Sequence, residues 1–291
     1  HRGPLLLAPA MESRMWDHSA TRRNLATLID GGAVVVGPAE GRMASGDVGR
    51  GRMAEPDTVV DMLRAILARQ GELAGTRVLV TAGPTREPLD PVRFLSNLST
   101  GLMGHAVARA ARDRGATVTL VSGPVSLAPI AGAQHVAVET AEEMRSEVLA
   151  RATDSDAVVM AAAVADFRPR RVSPSKMRKA AGAPSLELVP TADILLSLAE
   201  ELSGAEVRPV VVGFAAETDD LGASARRKLG AKSLDLVVAN EVPASFGGGE
   251  MTALLVDRDG ESTVGPGDKR VIADAVIDAV ARLLAGGAAD S

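Results

Sequence analysis

The connection between Arg77–Ala82 and Gly101–Gly104 limits what this chain can fold into more than any other stretch. Arg77–Ala82 (RVLVTA) is a short apolar run of the kind that forms a strand, and Gly101 opens an alanine-rich segment with helical spacing. A strand of a parallel sheet is usually joined to its next helix by only ~2–6 residues. Residues 83–100 are much longer than that and bring Gly, Pro, Thr, Ser, Asn and charged side chains together. A long polar connection at the carboxyl end of a first strand, running into a glycine-bearing helix start, is where α/β proteins hold phosphorylated ligands. It carries neither G-x-G-x-x-G nor G-x-x-x-x-G-K-[ST], which excludes the two commonest versions of that arrangement. The competing reading is a long surface loop without chemistry.

Beyond this loop, apolar runs and helical patterns alternate. Strands are expected at Arg77–Ala82, Thr117–Ser122, Val136–Val138, Ala157–Ala162, Val210–Ala215, Asp235–Ala239 and Thr252–Asp257. Helices are expected at Gly101–Arg114, Ala141–Thr153, Ala192–Glu201, Leu221–Ala231 and Lys269–Ala285. Strand runs such as Val158–Ala163 lack period-2 alternation, as in a parallel sheet covered on both faces. The expected fold class is therefore α/β, a Rossmann-like doubly wound, mostly parallel sheet. The first residues read as strand (Leu5–Ala8), helix (Ala20–Asp30), strand (Ala33–Val36), a glycine-rich loop and a helix (Pro56–Arg69) begun by Pro56. Gln70–Thr76 is a polar, glycine-bearing boundary, which gives a first part (1–70), a linker (71–76) and a second part (77–291). Ser173–Pro190, rich in Pro and basic residues, should be a flap, and Phe246–Glu250 (FGGGE) a mobile turn.

At 291 residues and 46% hydrophobic content the chain can bury a sizeable core, but with 2% aromatics that core must come from Val, Leu and Ala. A net charge of −5 argues against nucleic-acid or anionic-membrane partners. No apolar run approaches the ~18 residues of a membrane span. Cysteine is absent, which removes disulfides and thiolate metal sites and is compatible with a cytoplasmic location. The short apolar run after Arg2 is no signal peptide, and His1 reads as a cut inside a longer protein.

Several residue groups could carry chemistry. The Asn97 amide could donate to an oxyanion or a phosphate, with Ser99, Thr100 and Gly101 offering hydroxyls and backbone N–H groups beside it; equally, Asn97 could form an Asx-turn that shapes the loop. Ala161–Phe167 (AAAVADF) ends a strand in small residues. Ala162 and Ala163 could let a planar base approach the backbone, with Asp166 as an acceptor; the alternative is close packing with Asp166 as a helix cap. Of 32 basic residues only Lys176, Lys179, Lys228, Lys232 and Lys269 are lysines, and four of them fall in two clusters. Lysine is a mobile point charge suited to phosphate. Lys176 sits on the flap, while Lys228 and Lys232, four apart on a predicted helix, suggest a shared anion. Phe214 at a strand end could pack on a base or ribose. A nucleic-acid role for the basic run Arg168–Lys179 is disfavoured by the lack of aromatics.

The loop TAGPTREPLDPVRFLSNLSTGLMG resembles the signature of phosphopantothenoylcysteine synthetase, the phosphopantothenate–cysteine ligase of coenzyme A biosynthesis, and the likeness runs from about Gly75 to the end. That resemblance implies CTP as co-substrate, Mg²⁺, and the substrates 4′-phosphopantothenate and cysteine joined through an acyl-cytidylate. It assigns Asn97 and Lys176 to catalysis. It assigns Ala162, Ala163, Asp166, Lys176, Asp193, Ile194, Phe214, Lys228 and Lys232 to the nucleotide, and implies a homo-oligomer, a dimer of ligase domains. The family's Asn-Pro-Asp-Ile is Thr191-Ala192-Asp193-Ile194 here, so contacts through its first two residues are not carried over. The first seventy residues resemble the end of an FMN-dependent decarboxylase half. PAMESRMW has Glu12 where that motif has Asn, and MASGDVGRGRM has Ser45 where it has a proton-donating cysteine. FMN would then belong to a complete parent protein only, the decarboxylase portion here would be inactive, and His18 would be a surface residue. The rivals are an NAD(P)-binding oxidoreductase, which lacks its glycine fingerprint here, and a non-catalytic assembly subunit.

Overall fold

The computed structural model describes residues 3–43, 46–178, 185–205, 207–217, 220–241 and 250–287. Ser45, Lys179 and residues 246–249 of the expected FGGGE turn lie outside the described residues. The chain divides into two compact units, His1–Arg69 and Gln70–Ser291.

In the first unit β1 (Leu6–Leu7) pairs in parallel with β2 (Val34–Val35), with α1 (Ser13–Trp16) and α2 (Ser19–Asp30) between them. The expected glycine-rich loop is instead an antiparallel hairpin, β3 (Ala39–Arg42) with β4 (Val48–Arg52), followed by α3 (Pro56–Leu67). Glycine weakens a strand unless another backbone must come close, and that is the case here. The Met11 N–H donates to the Gly51 carbonyl at 2.9 Å, and a Cβ on Gly51 would lie 2.1 Å from the Met11 oxygen. Glu12 caps α1, its carboxylate accepting from the amides of Arg14 (3.0 Å) and Met15 (3.2 Å).

The second unit holds one eight-stranded sheet. Its strands are β5 (Arg77–Ala82), β8 (Thr117–Ser122), β9 (Gln134–Ala137), β10 (Ala157–Met160), β13 (Val210–Glu217), β14 (Leu236–Glu241), β15 (Met251–Val256) and β16 (Glu261–Gly267). Two small hairpins stand apart from it: β6 (Glu87–Asp90) with β7 (Arg93–Leu95), and β11 (Phe167–Pro169) with β12 (Leu188–Pro190). From one edge the sheet runs β9-β8-β5-β10-β13-β14-β15-β16, parallel as far as β14 and antiparallel beyond it. The six parallel strands thus follow the order 3-2-1-4-5-6, and the chain changes direction across the sheet between β5 and β10. The α/β, doubly wound, mostly parallel fold is as expected from the sequence.

Both faces are covered. Val78 and Val80 of β5 pack with α4 (Leu102–Asp113) and α8 (Lys269–Gly287) on one face. Leu79 packs on the other, with α5 (Ala141–Ala152), α6 (Ile194–Glu201) and α7 (Leu221–Ala231). Val and Leu runs suit strands buried on both sides. The scarcity of aromatics is met by close approach. A Cβ on Gly104 would fall 2.5 Å from the Ala82 Cβ and 2.6 Å from the Thr81 oxygen. With Ala108 and Ala111 one and two turns on, both fully buried, α4 lies flush on β5. That contact sets the amino end of α4 at the carboxyl end of β5.

The antiparallel end was not fully foreseen. β16 is an edge strand whose ESTVGPG sequence is mostly exposed and contains Pro266, so it carries little apolar signal. The flap expected at Ser173–Pro190 is tied at its far end, because Leu188–Pro190 pairs with Phe167–Pro169.

Candidate functional site

A cleft of about 520 Å³ opens across the carboxyl ends of β5, β10, β13 and β14, at the point where the strand order reverses. One wall is the loop Ser99–Gly101 with the start of α4. Gly101, at φ +78°, is the N-cap of α4 and supplies no side-chain cap. A side chain there would be strained and would meet Val125 at 2.7 Å. The Ser99 N–H donates to Asn97 Oδ1 at 3.0 Å, and the Gly101 N–H donates to Ser99 Oγ at 3.4 Å. The loop is thus folded on itself and leaves the first turn of α4, Leu102 and Met103, facing the cleft.

The middle of the cleft is Ala161–Asp166. The Thr81 hydroxyl accepts from the Ala162 N–H (3.1 Å), and the Thr85 hydroxyl accepts from the Ala165 N–H (3.0 Å). The Ala163 N–H donates to the Gly83 carbonyl (2.9 Å). Asn97 Nδ2 donates to the Ala163 carbonyl at 2.6 Å, so Asn97 both makes the Asx-turn and fastens the loop to this segment. The exposed Asp166 carboxylate has no ion pair among the described residues.

The third wall is the start of α6. Asp193 caps it, accepting from Leu195 (3.0 Å) and Leu196 (3.2 Å), and its other oxygen pairs with Lys232 Nζ at 2.7 Å. Burial works to raise the Asp193 carboxyl, but the Lys232 hydrogen bond and the two amides outweigh it and hold the group below the usual carboxylate range. Lys232 is not on the helical face expected for it. α7 ends at Ala231, and Lys232, as its C-cap, reaches across to Asp193.

Ser99, Thr100, Gly101, Ala162, Ala163, Asp166, Asp193, Ile194, Phe214 and Lys232 all line this cleft. Asn97 stands directly behind it. Lys176 and Lys228 are not among the lining residues. Lys176 is exposed, on a segment hung from the β6–β7 hairpin: the Met177 N–H donates to Asp90 Oδ2 (3.1 Å), and Arg93 Nη1 donates to the Met177 carbonyl (3.1 Å). Lys228, half-buried, is in the last turn of α7. Among the described residues no group of three or more His, Asp or Glu is gathered to hold a metal. Of the two carboxylates that line the cleft, Asp193 is engaged by Lys232 and two amides, which leaves Asp166 for a cation that takes its other ligands from phosphate and water.

Among the lining residues that the sequence reading did not assign to the site are Lys269, Asn240 and Met251. Lys269, the first residue of α8, is half-buried, and burial pushes its ammonium pKa down. Asn240 is the next-to-last residue of β14, and Met251 begins β15. Lys269 was legible only as the lysine outside the two clusters, and Asn240 only as a polar residue closing an apolar strand.

Residues 73–284 match the family model described as DNA/pantothenate metabolism flavoprotein C-terminal domain, and residues 1–68 match the model described as flavoprotein. The coenzyme A biosynthesis bifunctional protein CoaBC of Bacillus subtilis is 47% identical over 84% of this chain and 60% of its own length. That of Mycobacterium tuberculosis is 42% identical over 98% of this chain and 72% of its own. The chain thus spans about three-fifths to three-quarters of these relatives. A crystal structure of the C-terminal domain of such a CoaBC protein superposes with a TM-score of 0.64 at 35% identity, covering 75% of this chain and all of that one. A DNA/pantothenate metabolism flavoprotein from Streptococcus pneumoniae shares the fold, with a TM-score of 0.60 at 21% identity, over 70% of this chain and 97% of that one. With its parallel sheet, its cleft at the strand reversal and these matches along nearly its whole length, the chain belongs to the CoaBC family of bifunctional coenzyme A biosynthesis proteins.

Proposed function

We propose that the second unit is a phosphopantothenate–cysteine ligase that uses CTP. The observation that carries this reading is the uncapped amino end of α4, which opens beside Ala161–Asp166 and faces a lysine-bearing wall within a single cleft. The carboxylate of 4′-phosphopantothenate attacks the α-phosphorus of CTP, a P–O bond forms, and the bond to pyrophosphate breaks. The acyl-cytidylate that results has a good leaving group. The cysteine amine adds to its acyl carbon, loses a proton, and expels CMP.

Each wall has a role in this reaction. The first amides of α4, with Ser99 and Thr100, neutralise phosphate oxygens. Ala162 and Ala163 lie against the nucleotide, with Phe214 as its apolar neighbour. Lys176, carried over the cleft on its flap, stabilises charge that builds on the α-phosphate. Lys232, with Asp193 and Ile194, completes the nucleotide wall, and Lys228, one turn earlier at the end of α7, adds positive charge for the phosphates. The amide of Asn97 steadies the acyl group while cysteine attacks. Asp166 would hold Mg²⁺, which would supply charge neutralisation to the triphosphate.

The strand order would equally serve a dinucleotide-binding oxidoreductase. That reading is disfavoured because the connection from β5 to α4 is a hairpin, β6–β7, and not a tight glycine turn. Dimerisation is part of the proposal, supported by the exposed Val92, Phe94 and Leu98 in or beside that hairpin. For the first unit we propose a decarboxylase-type flavoprotein part, with FMN held in the complete parent and Ser45, a far weaker acid than a thiol, leaving proton delivery impaired. Location in the cytoplasm is part of the same proposal.

The test is pyrophosphate release from CTP by the purified chain. It is expected only when phosphopantothenate and Mg²⁺ are both present, followed by amide formation on adding cysteine. Folded protein that binds no CTP would refute the reading.

A further inference from the structure

Asn240 is 6% exposed, and its Nδ2 is buried without a hydrogen-bond partner among the described residues. A buried amide donor left in that state costs ~1–3 kcal/mol, so native structures satisfy nearly all of them. Asn240 is also a lining residue of the cleft, at the carboxyl end of β14, where a ligand can supply the missing acceptor. On β14 the side chains of Leu236 and Val238 pack on the α4–α8 face of the sheet. The period of two puts Asn240 on that face as well. Its surroundings there are mostly apolar: Phe214 and Met251 belong to the same packed cluster, Leu102 and Met103 line the cleft with it, and Lys269 at the start of α8 is the cation among these lining residues.

A buried amide donor among mostly apolar side chains suits a flat heterocycle, and a polyphosphate, whose charge would lose its water there, is better held by the open amino end of α4. From this we infer that Asn240 reads the base of the nucleotide, its Nδ2 donating to a ring acceptor, N3 or O2 of a cytosine, seated beside Phe214. The inference rests on the nucleotide reading above and adds to it a residue that sets base preference. Phosphate oxygens are left to the amino end of α4, with Ser99 and Thr100.

The test is calorimetric titration of the whole chain with CTP, CMP and inorganic pyrophosphate. Asn240→Val removes the donor and keeps a strand-forming side chain. It should weaken CTP and CMP ~10-fold, leave pyrophosphate unchanged, and raise the melting temperature of the ligand-free protein, because an unsatisfied buried group is gone. Asn240→Asp, of the same size, places an acceptor against acceptors and should weaken both nucleotides ~100-fold; it carries the test if the Val variant does not fold. Parent-like CTP affinity in both variants overturns the inference and leaves the ligase reading standing. A loss confined to pyrophosphate and CTP, with CMP unaffected, would assign the amide to phosphate and overturn it too. A parent chain that binds no CTP overturns this inference together with the ligase reading.

Discussion

Two helices bring their amino ends to the same cleft with opposite chemistry. At α4 the N-cap is Gly101, no side chain caps the first turn, and Ser99 and Thr100 stand beside it. At α6 the N-cap is Asp193, whose carboxylate already takes two of the free amides and the Lys232 ammonium. An amino end left without a side-chain cap keeps its N–H groups and dipole for an incoming anion; one capped by a carboxylate has them largely neutralised. The neighbouring helix shows that the cleft does not leave amino ends open by default. The open end of α4 is therefore the better place for developing negative charge. α6, its amides already taken, can offer at most the half-screened charge of Lys232.

If the chemistry sits at the open end, the largest effect should come from the cation brought over it. Lys176→Gln should lower pyrophosphate release ~10²–10³-fold, the usual loss for a preorganised electrostatic contact. Quenched reactions with labelled CTP would measure it. A parent-like rate would remove Lys176 from the site and leave the open end without a mobile cation.

The next effect comes from moving α4 itself. Gly104→Leu drives a side chain into Ala82 and the Thr81 carbonyl, and should cost about 3 kcal/mol of unfolding free energy in urea. CTP affinity should fall with it, because the amino end of α4 is displaced. A stability loss with unchanged affinity would mean that the nucleotide does not use that end.

Asn97→Asp comes third. The acyl-cytidylate should still form while its capture by cysteine slows, since a carboxylate cannot donate to the oxyanion. The structure adds a second effect. A carboxylate oxygen would face the Ala163 carbonyl where Nδ2 now donates at 2.6 Å. Stability should drop by ~1–1.5 kcal/mol, the usual worth of a hydrogen bond at a partly buried site. If neither the partitioning of labelled nucleotide nor the urea midpoint moves, Asn97 is only a turn former.

The parallel half of the sheet was legible because burial on both faces demands unbroken Val, Leu and Ala, as in Val78–Val80 and Val158–Val159. The hairpins β3–β4 and β6–β7 were not. Gly41, Gly49, Gly51 and Pro88 read as loop residues, and only the neighbouring backbone against Gly51 explains a strand there. The cleft wall Ser99–Gly101 and Ala162–Asp166 could be read from loop length and small residues. Asn240 and Lys269 could not, since each is an isolated polar residue at an element end, brought to the cleft only by the sheet order β13-β14-β15 and the return of α8. The Lys228–Lys232 pair illustrates a boundary effect: a helix ending at Ala231 turns one expected face into a cap that reaches Asp193.

The smallest effect separates the two amino ends most cleanly. Asp193→Asn keeps a good N-cap, because asparagine also accepts from the first amides, and removes only the charge facing Lys232. Both side chains are partly exposed, so the stability lost at neutral pH should be no more than ~1 kcal/mol. The sign with pH follows from the lowered carboxyl. Its stabilisation is present above the unfolded-state value of about 3.9 and disappears as pH falls through the lower folded value. The parent should therefore converge on the variant only below about pH 4. Ligand affinity decides the rest. If Asp193 serves mainly to neutralise Lys232 and the α6 amides, the variant should bind CTP a few-fold more tightly, because the freed ammonium meets phosphate. A weaker CTP complex at neutral pH would make Asp193 a direct nucleotide ligand, and α6 would then be a second working end of the cleft.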